Sequence, residues 1–362
     1  MKICHFFISL CDLMTTIDMK NTILTLISLI IPSMLCAQNT ELLKLQFEAR
    51  ADYMQEYQES GKINGNSGFK GKYLNIRMDG NITDGLSYSY RQRLNKPNSD
   101  ATFFDATDWI TATYTTGNWS ISAGKQVVGI GGFEYDGAPI DLYFCSEFWN
   151  NIPCYQFGAS LTYTSADKAD KYMIQFCESP FRRNSHNTEN REMFAYNAMW
   201  CGSHGVFTSL YSVNMIEYLP GRFINYIALG NQFKLDQVTL TVDFMNRALS
   251  FRDLFGKDFS IMSEVAWQPA EWINIFARMS YDLNKSKEEG DWCVAPGTDI
   301  LRVGGGIECY PIKNYRNFRL HLNGCHTIGS SAPAGVLKNN QTIVDAGITW
   351  KVDLLNIKRK NS

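Results

Sequence analysis

Beyond residue 37 the sequence alternates polar and apolar residues with a period of two, segment after segment, and this restricts its fold more than any other feature. Leu43, Leu45, Phe47, Ala49, Ala51 and Tyr53 are separated by Lys44, Gln46, Glu48, Arg50 and Asp52. In a strand the two sets face opposite sides. Sixteen such segments can be read: 43–54, 70–80, 86–94, 107–115, 119–126, 154–163, 171–178, 194–201, 206–215, 222–232, 238–246, 258–267, 272–282, 300–310, 317–325 and 342–354. Their connections alternate between short turns, such as Asn81–Gly85 and Thr116–Asn118, and long loops, such as 55–69, 127–153 and 283–299; the brief 216–221 link is the exception. A soluble sandwich has no reason to gather its long loops at one end. A transmembrane barrel does, with short periplasmic turns opposite long outer loops. The expected fold is therefore all-β: an antiparallel up-and-down transmembrane barrel of about sixteen strands.

Composition agrees. Charged residues make up 19% of the chain and aromatics 13%, against about 25% charge in an ordinary soluble domain. Mean hydropathy is −0.22, and one long apolar run is present where a helix bundle would need several of roughly 20 residues. That run lies near the N-terminus. Met19-Lys20-Asn21 is a basic start, Thr22–Leu35 an apolar core, and Cys36-Ala37-Gln38 offers a cut after Ala37. Residues 19–37 thus read as a signal peptide, 1–18 as an upstream extension, and 38–362 as the barrel, with 127–153 as its long third extracellular loop. The net charge of −2 argues against a nucleic-acid partner. Seven cysteines follow the cut, with no CxxC spacing for zinc. Cys145 and Cys154 are near enough in sequence to pair within one loop in an oxidising compartment.

Aromatic residues including Tyr88, Trp119, Tyr163, Tyr172, Trp200, Trp267, Trp272 and Trp350 fall near the expected strand ends, where interfacial girdles sit. The run Asp345-Ala-Gly347-Ile-Thr-Trp350-Lys-Val352 is similar to the closing-strand signal of outer-membrane barrels, although the chain continues through a polar tail to Ser362. Two stretches carry a family resemblance. Gly124-Lys125-Gln126-Val127-Val128-Gly129, continued by Gly131-Gly132-Phe133-Glu134, resembles the strand into the third loop of phosphate-selective porins O and P. Gly304-Gly305-Gly306-Ile307-Glu308-Cys309-Tyr310-Pro311 followed by Asn317-Phe318-Arg319-Leu320-His321 resembles their late strand–turn–strand. The resemblance implies a sixteen-stranded barrel in the bacterial outer membrane, usually a homotrimer.

If the apolar register meets lipid, the polar register lines a lumen. Arg50, Arg77, Arg91 and Arg93 then share the wall of the first three strands, where guanidinium groups suit transient contact with anions. The 127–153 loop carries Glu134, Asp136, Asp141 and Glu147, and no basic residue lies between Lys125 and Lys168. Folded inward, it would set a carboxylate rim against the arginine wall as a constriction. Further along, Asp243, Glu264, Arg278, Asp282, Arg302, Glu308, Arg319 and Asp345 nearly balance, which is not the one-signed ladder of a strictly phosphate-specific channel.

No phosphate loop, G-x-S-x-G or HExxH occurs, and no histidine has a spaced partner, so neither an enzyme nor a cofactor is expected. The expected function is a porin passing small hydrophilic solutes or anions, phosphate among the candidates, with outer-membrane lipid as its surroundings. The alternative is a barrel without a transport role, an adhesin or assembly partner acting through loops such as 283–299. Conductance separates the two.

Overall fold

The structure, a computed structural model, describes residues 41–358 apart from 60, 97–102, 186, 251–254, 287 and 331–334. The expected extension and signal peptide lie outside the described residues. The strands are β1 (Glu41–Gln58), β2 (Gly61–Lys62), β3 (Gly68–Asn81), β4 (Leu86–Arg93), β5 (Thr107–Thr116), β6 (Trp119–Val127), β7 (Tyr155–Thr164), β8 (Asp170–Glu178), β9 (Phe194–His204), β10 (Phe207–Leu219), β11 (Arg222–Leu235), β12 (Val238–Ala248), β13 (Asp258–Ala270), β14 (Ile273–Asn284), β15 (Asp299–Cys309), β16 (Phe318–Ser330) and β17 (Gln341–Lys358). The two-residue β2 only extends the first loop, leaving sixteen wall strands. Each pairs antiparallel with its neighbours, and β1 pairs with both β3 and β17, so the sheet closes without an edge. Closure leaves no open sheet edge, which a hydrocarbon surround demands.

Burial is inverted relative to a soluble protein. On β16, Leu320 and Leu322 point outward, Leu322 with 55% of its surface exposed, while His321, Asn323 and Thr327 are buried inside. On β1, Glu48, Arg50, Asp52 and Glu56 are buried in the lumen and Tyr53 faces out. Leaving Ile174, Val213 and Leu322 exposed while charged groups are buried makes sense only against lipid. An outward girdle follows directly from register: Trp119 opposes Tyr163, Tyr163 opposes Tyr172, Tyr172 opposes Trp200, and Trp200 opposes Tyr211, all near the short-turn end.

Two local expectations change. The 216–221 link shrinks to a hairpin at Pro220–Gly221, because β10 continues to Leu219. Ile216, Tyr218, Ile224 and Tyr226 face inward there and pack in an apolar core with Val128, Ile130, Phe148 and Ile152 of the long loop. The lumen wall is apolar where the loop covers it, which hides the strand from a polar-inside reading. Cys145 and Cys154 do not pair; all seven described cysteines are free, and α2 (Glu147–Asn151) lies between these two.

Candidate functional site

The loop after β6 folds into the barrel, and glycine makes its entry possible. Gly129 donates its N–H to Gln175 Oε1 at 2.7 Å and Gly131 donates to Ser212 Oγ at 2.8 Å, so the chain runs flush against β8–β10. A Cβ on Gly131 would lie 2.7 Å from the Leu210 carbonyl oxygen, and Gly132 has a φ of 99°. The loop then forms α1 (Phe133–Asp136), a 3-10 turn (Pro139–Asp141) and α2. Ser146 caps α2 by accepting from Trp149 N at 3.1 Å.

Three anchors hold the loop in place. At the first, Glu134 accepts from Ser146 N at 2.9 Å and pairs with Arg278 of β14, both side chains less than 10% exposed, while Asp243 of β12 accepts the Glu134 N–H at 2.7 Å. Arg278 also reaches Glu264 at 3.1 Å. At the second, Asp141 pairs with Arg319 of β16 at 2.9 Å and Lys351 of β17 at 2.7 Å. Arg50 donates to the Leu142 carbonyl at 2.5 Å, and its guanidinium sits 4.6 Å from the Tyr143 ring centroid. Tyr143 donates to Glu308 at 2.6 Å. At the third, Glu147 accepts the backbone N–H groups of Val336 and Leu337, each at 2.8 Å, and Asn151 Nδ2 at 3.0 Å. Burial pushes the Glu147 carboxyl above the ordinary glutamate range, against the lowering effect of those three donors.

The four arginines lie on the lumen wall, each already within 3.5 Å of a carboxylate. Arg50 meets Asp52 at 2.8 Å and Arg77 meets Asp79 at 2.7 Å. Arg91 lies between Glu48 at 3.3 Å and Asp108 at 3.5 Å, and Arg93 meets Asp108 at 2.8 Å. Of the loop acids, Glu134, Asp141 and Glu147 turn to β14, to β16–β17 and to Val336 and Leu337, and Asp136 is exposed on α1. Among the four arginines of the expected wall, Arg50 meets the loop, through the Leu142 carbonyl and the Tyr143 ring rather than through a loop carboxylate. Sequence reasoning had placed Arg278 and Arg319 in the lumen without linking them to the loop. It missed Tyr143 and Ser146, which lie in the loop where no strand parity applies, and Lys351 of β17, whose parity says "inside" but whose height along the barrel no pattern reveals.

Asp52, His321 and Asp345 bring three potential metal-ligand atoms within 4.8 Å of one another. Arg50 already occupies Asp52, and a guanidinium 2.8 Å away opposes a cation there. His321 Nε2 lies 3.2 Å from Asp52 and 3.4 Å from Asp345, so the cluster is already an internal network.

Two cavities flank the loop. An outer one of about 530 Å³ lies between α2 and the β4–β7 wall, lined by Tyr73, Arg93, Lys125, Trp149, Tyr155 and Trp292 among others. A second of about 240 Å³ lies between the loop tip and the opposite wall, beside Thr241, Glu264, Arg278 and Glu308.

The phosphate-selective porin O and P family profile matches residues 43–212, from β1 into β10. No curated protein matches in sequence at a significant level. Similar solved structures include the anion-selective porin from Comamonas acidovorans (10% identity, 86% of this chain and 99% of that one, TM-score 0.60). Others are Salmonella typhi OmpF in complex with daunomycin (13%, 86% and 97%, 0.60) and the trimer form of OmpT, an outer membrane protein of Vibrio cholerae (11%, 86% and 100%, 0.57). At such identities these likenesses speak for the fold, a closed porin barrel, while the family profile speaks for descent. Over residues 43–212 the chain is similar to the phosphate-selective porin O and P family, and it is a passive diffusion porin of the bacterial outer membrane.

Proposed function

We propose that the pore is a weakly ion-selective passage for small hydrophilic solutes, running along the β4–β7 wall beside the folded loop, in a homotrimer, without catalysis. The observation that carries this reading is where the loop is anchored. Its acids, carbonyls and one backbone N–H are held by β1, β12, β14, β16 and β17, while the lumen face of β4–β7 keeps half-exposed serines and threonines. Each of the four arginines is matched by a nearby carboxylate, so the wall offers little net field to select an ion. Two unit charges about 8 Å apart across water interact by only about 0.5 kcal/mol, so residual imbalances matter little singly. Strict phosphate selectivity would need donors without acidic partners, and Arg50, Arg77, Arg91 and Arg93 all have them. The trimer follows the family habit and the trimer form of Vibrio cholerae OmpT.

The test is the reversal potential of reconstituted protein in a tenfold KCl gradient. The expected value is a small fraction of the roughly 59 mV limit for a perfectly selective channel, with current steps closing in threes. A value near that limit would overturn weak selectivity, and a folded barrel without current would overturn the passage.

A further inference from the structure

The uncovered wall has a chemistry of its own. Ser87 of β4 opposes Thr113 of β5, Thr113 opposes Ser122 of β6, and Ser122 opposes Ser160 of β7. Four hydroxyls from four consecutive strands therefore form one row around the lumen. A second pair, Thr115 and Ser120, sits beside it toward the short turns. Two pairs are bonded directly, Thr113 Oγ1 to Ser122 Oγ at 2.7 Å and Thr115 Oγ1 to Ser120 Oγ at 2.9 Å, while at the ends of the row Ser87 Oγ donates to the Thr113 carbonyl at 3.5 Å and Ser160 Oγ to Gln126 Oε1 at 3.0 Å. With strands about 4.8 Å apart, the four-residue row spans roughly 14 Å.

From this we infer that the β4–β7 hydroxyl row, together with the aromatic-lined outer cavity above it, is a subsite for neutral polyhydroxylated solutes of mono- to trisaccharide size. This rests on the passage proposed above and names what the passage favours.

Each hydroxyl is both donor and acceptor and rotates to suit its partner. A row of them can exchange its mutual bonds for bonds to a solute's hydroxyls at each step, as water is exchanged. An anion would find no such match, because it needs converging donors without acceptors. The cations nearest the row are already engaged: Arg77 with Asp79, Arg91 with Glu48 and Asp108, and Lys125 with the carbonyls of Phe104 and Thr107 at 2.5 and 2.7 Å. The outer cavity adds Tyr73, Trp149, Tyr155 and Trp292, whose rings offer flat apolar faces with polar ends. A sugar ring has that same division, with C–H groups on its faces and hydroxyls at its rim. The cavity's 530 Å³ falls within the range of about 300–1,000 Å³ usual for small-molecule pockets. Binding here must be weak enough for release, since conduction needs both capture and escape.

The test uses full-length protein in planar bilayers, with maltotriose and inorganic phosphate as probes and KCl current as the control for an open pore. Wild type should show current reversibly reduced by maltotriose, half-maximally in the millimolar range, about −4 kcal/mol of binding. The T113V/S122A variant removes both partners of one hydrogen bond, so it orphans no buried hydroxyl. It should keep its KCl conductance within about twofold while its half-blocking maltotriose concentration rises about tenfold or more. Wild-type KCl current untouched by maltotriose, block by phosphate at a lower concentration than by sugar, or unchanged block in T113V/S122A would each overturn the subsite while leaving the passage in place. Absence of KCl current from folded protein would overturn the passage and the subsite with it.

Discussion

Replacing Arg278 by Met should unlatch the centre of the inward loop without dissolving the barrel. Arg278 lies between Glu134 of α1 and Glu264, with its side chain and that of Glu134 only 5% and 8% exposed. The methionine fills similar space but leaves the Glu134 carboxylate buried, bonded only to the N–H and hydroxyl of Ser146, with Asp243 close by. Removing one partner of a buried pair costs about 3–5 kcal/mol. At about 1.4 kcal/mol per tenfold, the lower figure already shifts the docked-to-undocked ratio by about 100-fold. The Asp141 and Glu147 anchors remain, so the change should be local. Cys145 reports it: the residue precedes the α2 cap, is 4% exposed, and burial pushes its thiol well up. Alkylation by a water-soluble maleimide, mapped by peptide mass, should be slow in wild type and about 100-fold faster in R278M. E134Q should have a smaller effect, since Arg278 keeps Glu264, and E134Q/R278M should recover most of the protection. Equal protection of Cys145 in R278M and wild type, or strict additivity in the double variant, would refute the idea that this pair holds the loop.

Other outcomes follow from the same geometry. Burial pushes the Cys154 thiol up to about 11, so its alkylation rate should still climb between about pH 9 and 11; a plateau by about pH 9 would contradict its placement. Gly131→Val puts a side chain against the Leu210 carbonyl and should give a folded barrel with larger, noisier currents; wild-type traces would show that the glycine is not needed to seat the loop. Arg91→Gln leaves buried Glu48 without its cation, while Asp108 keeps Arg93, and should reduce folded yield sharply, at a cost of about 3–5 kcal/mol. Arg77→Gln, at a half-exposed pair, should cost no more than about 1 kcal/mol. Urea titration of the two variants in detergent checks the ranking, and equal losses would contradict it.

The wall was legible in the sequence because a barrel strand advertises itself by parity. The segment read at 119–126 is β6 at Trp119–Val127, and that read at 258–267 is β13 at Asp258–Ala270. Parity failed where the lumen is not polar. Ile216, Tyr218, Ile224 and Tyr226 face inward against the loop's Val128, Ile130 and Phe148, so the end of β10 looked like a connection. The ends of the chain's pairing were also hidden: β17 runs on through Leu354, Leu355 and Asn356 to Lys358, opposite Glu41, with bulges near Leu43 and Leu45 that shift the alternation. The site was half legible. Arg50, Arg77, Arg91 and Arg93 could be placed inside, and so could the loop's acids, but not matched to one another. Partner choice depends on height along the barrel and on where the loop turns at Gly131 and Pro139, and neither is written in a period-two pattern. Hence Asp141 meets Arg319 and Lys351 rather than the arginines of β3 and β4.

If solutes pass along β4–β7 beside the inward loop, a label on a cysteine in that wall must obstruct the single-channel current. Thr113 faces the lumen within the hydroxyl row, while Ala112 beside it faces out. A charged, membrane-impermeant methanethiosulfonate added to open T113C channels should lower the unit conductance in discrete, reductant-reversible steps, and A112C and wild-type channels should not respond. Unaltered conductance in T113C with the label shown to be attached, or block at A112C instead, would contradict the route.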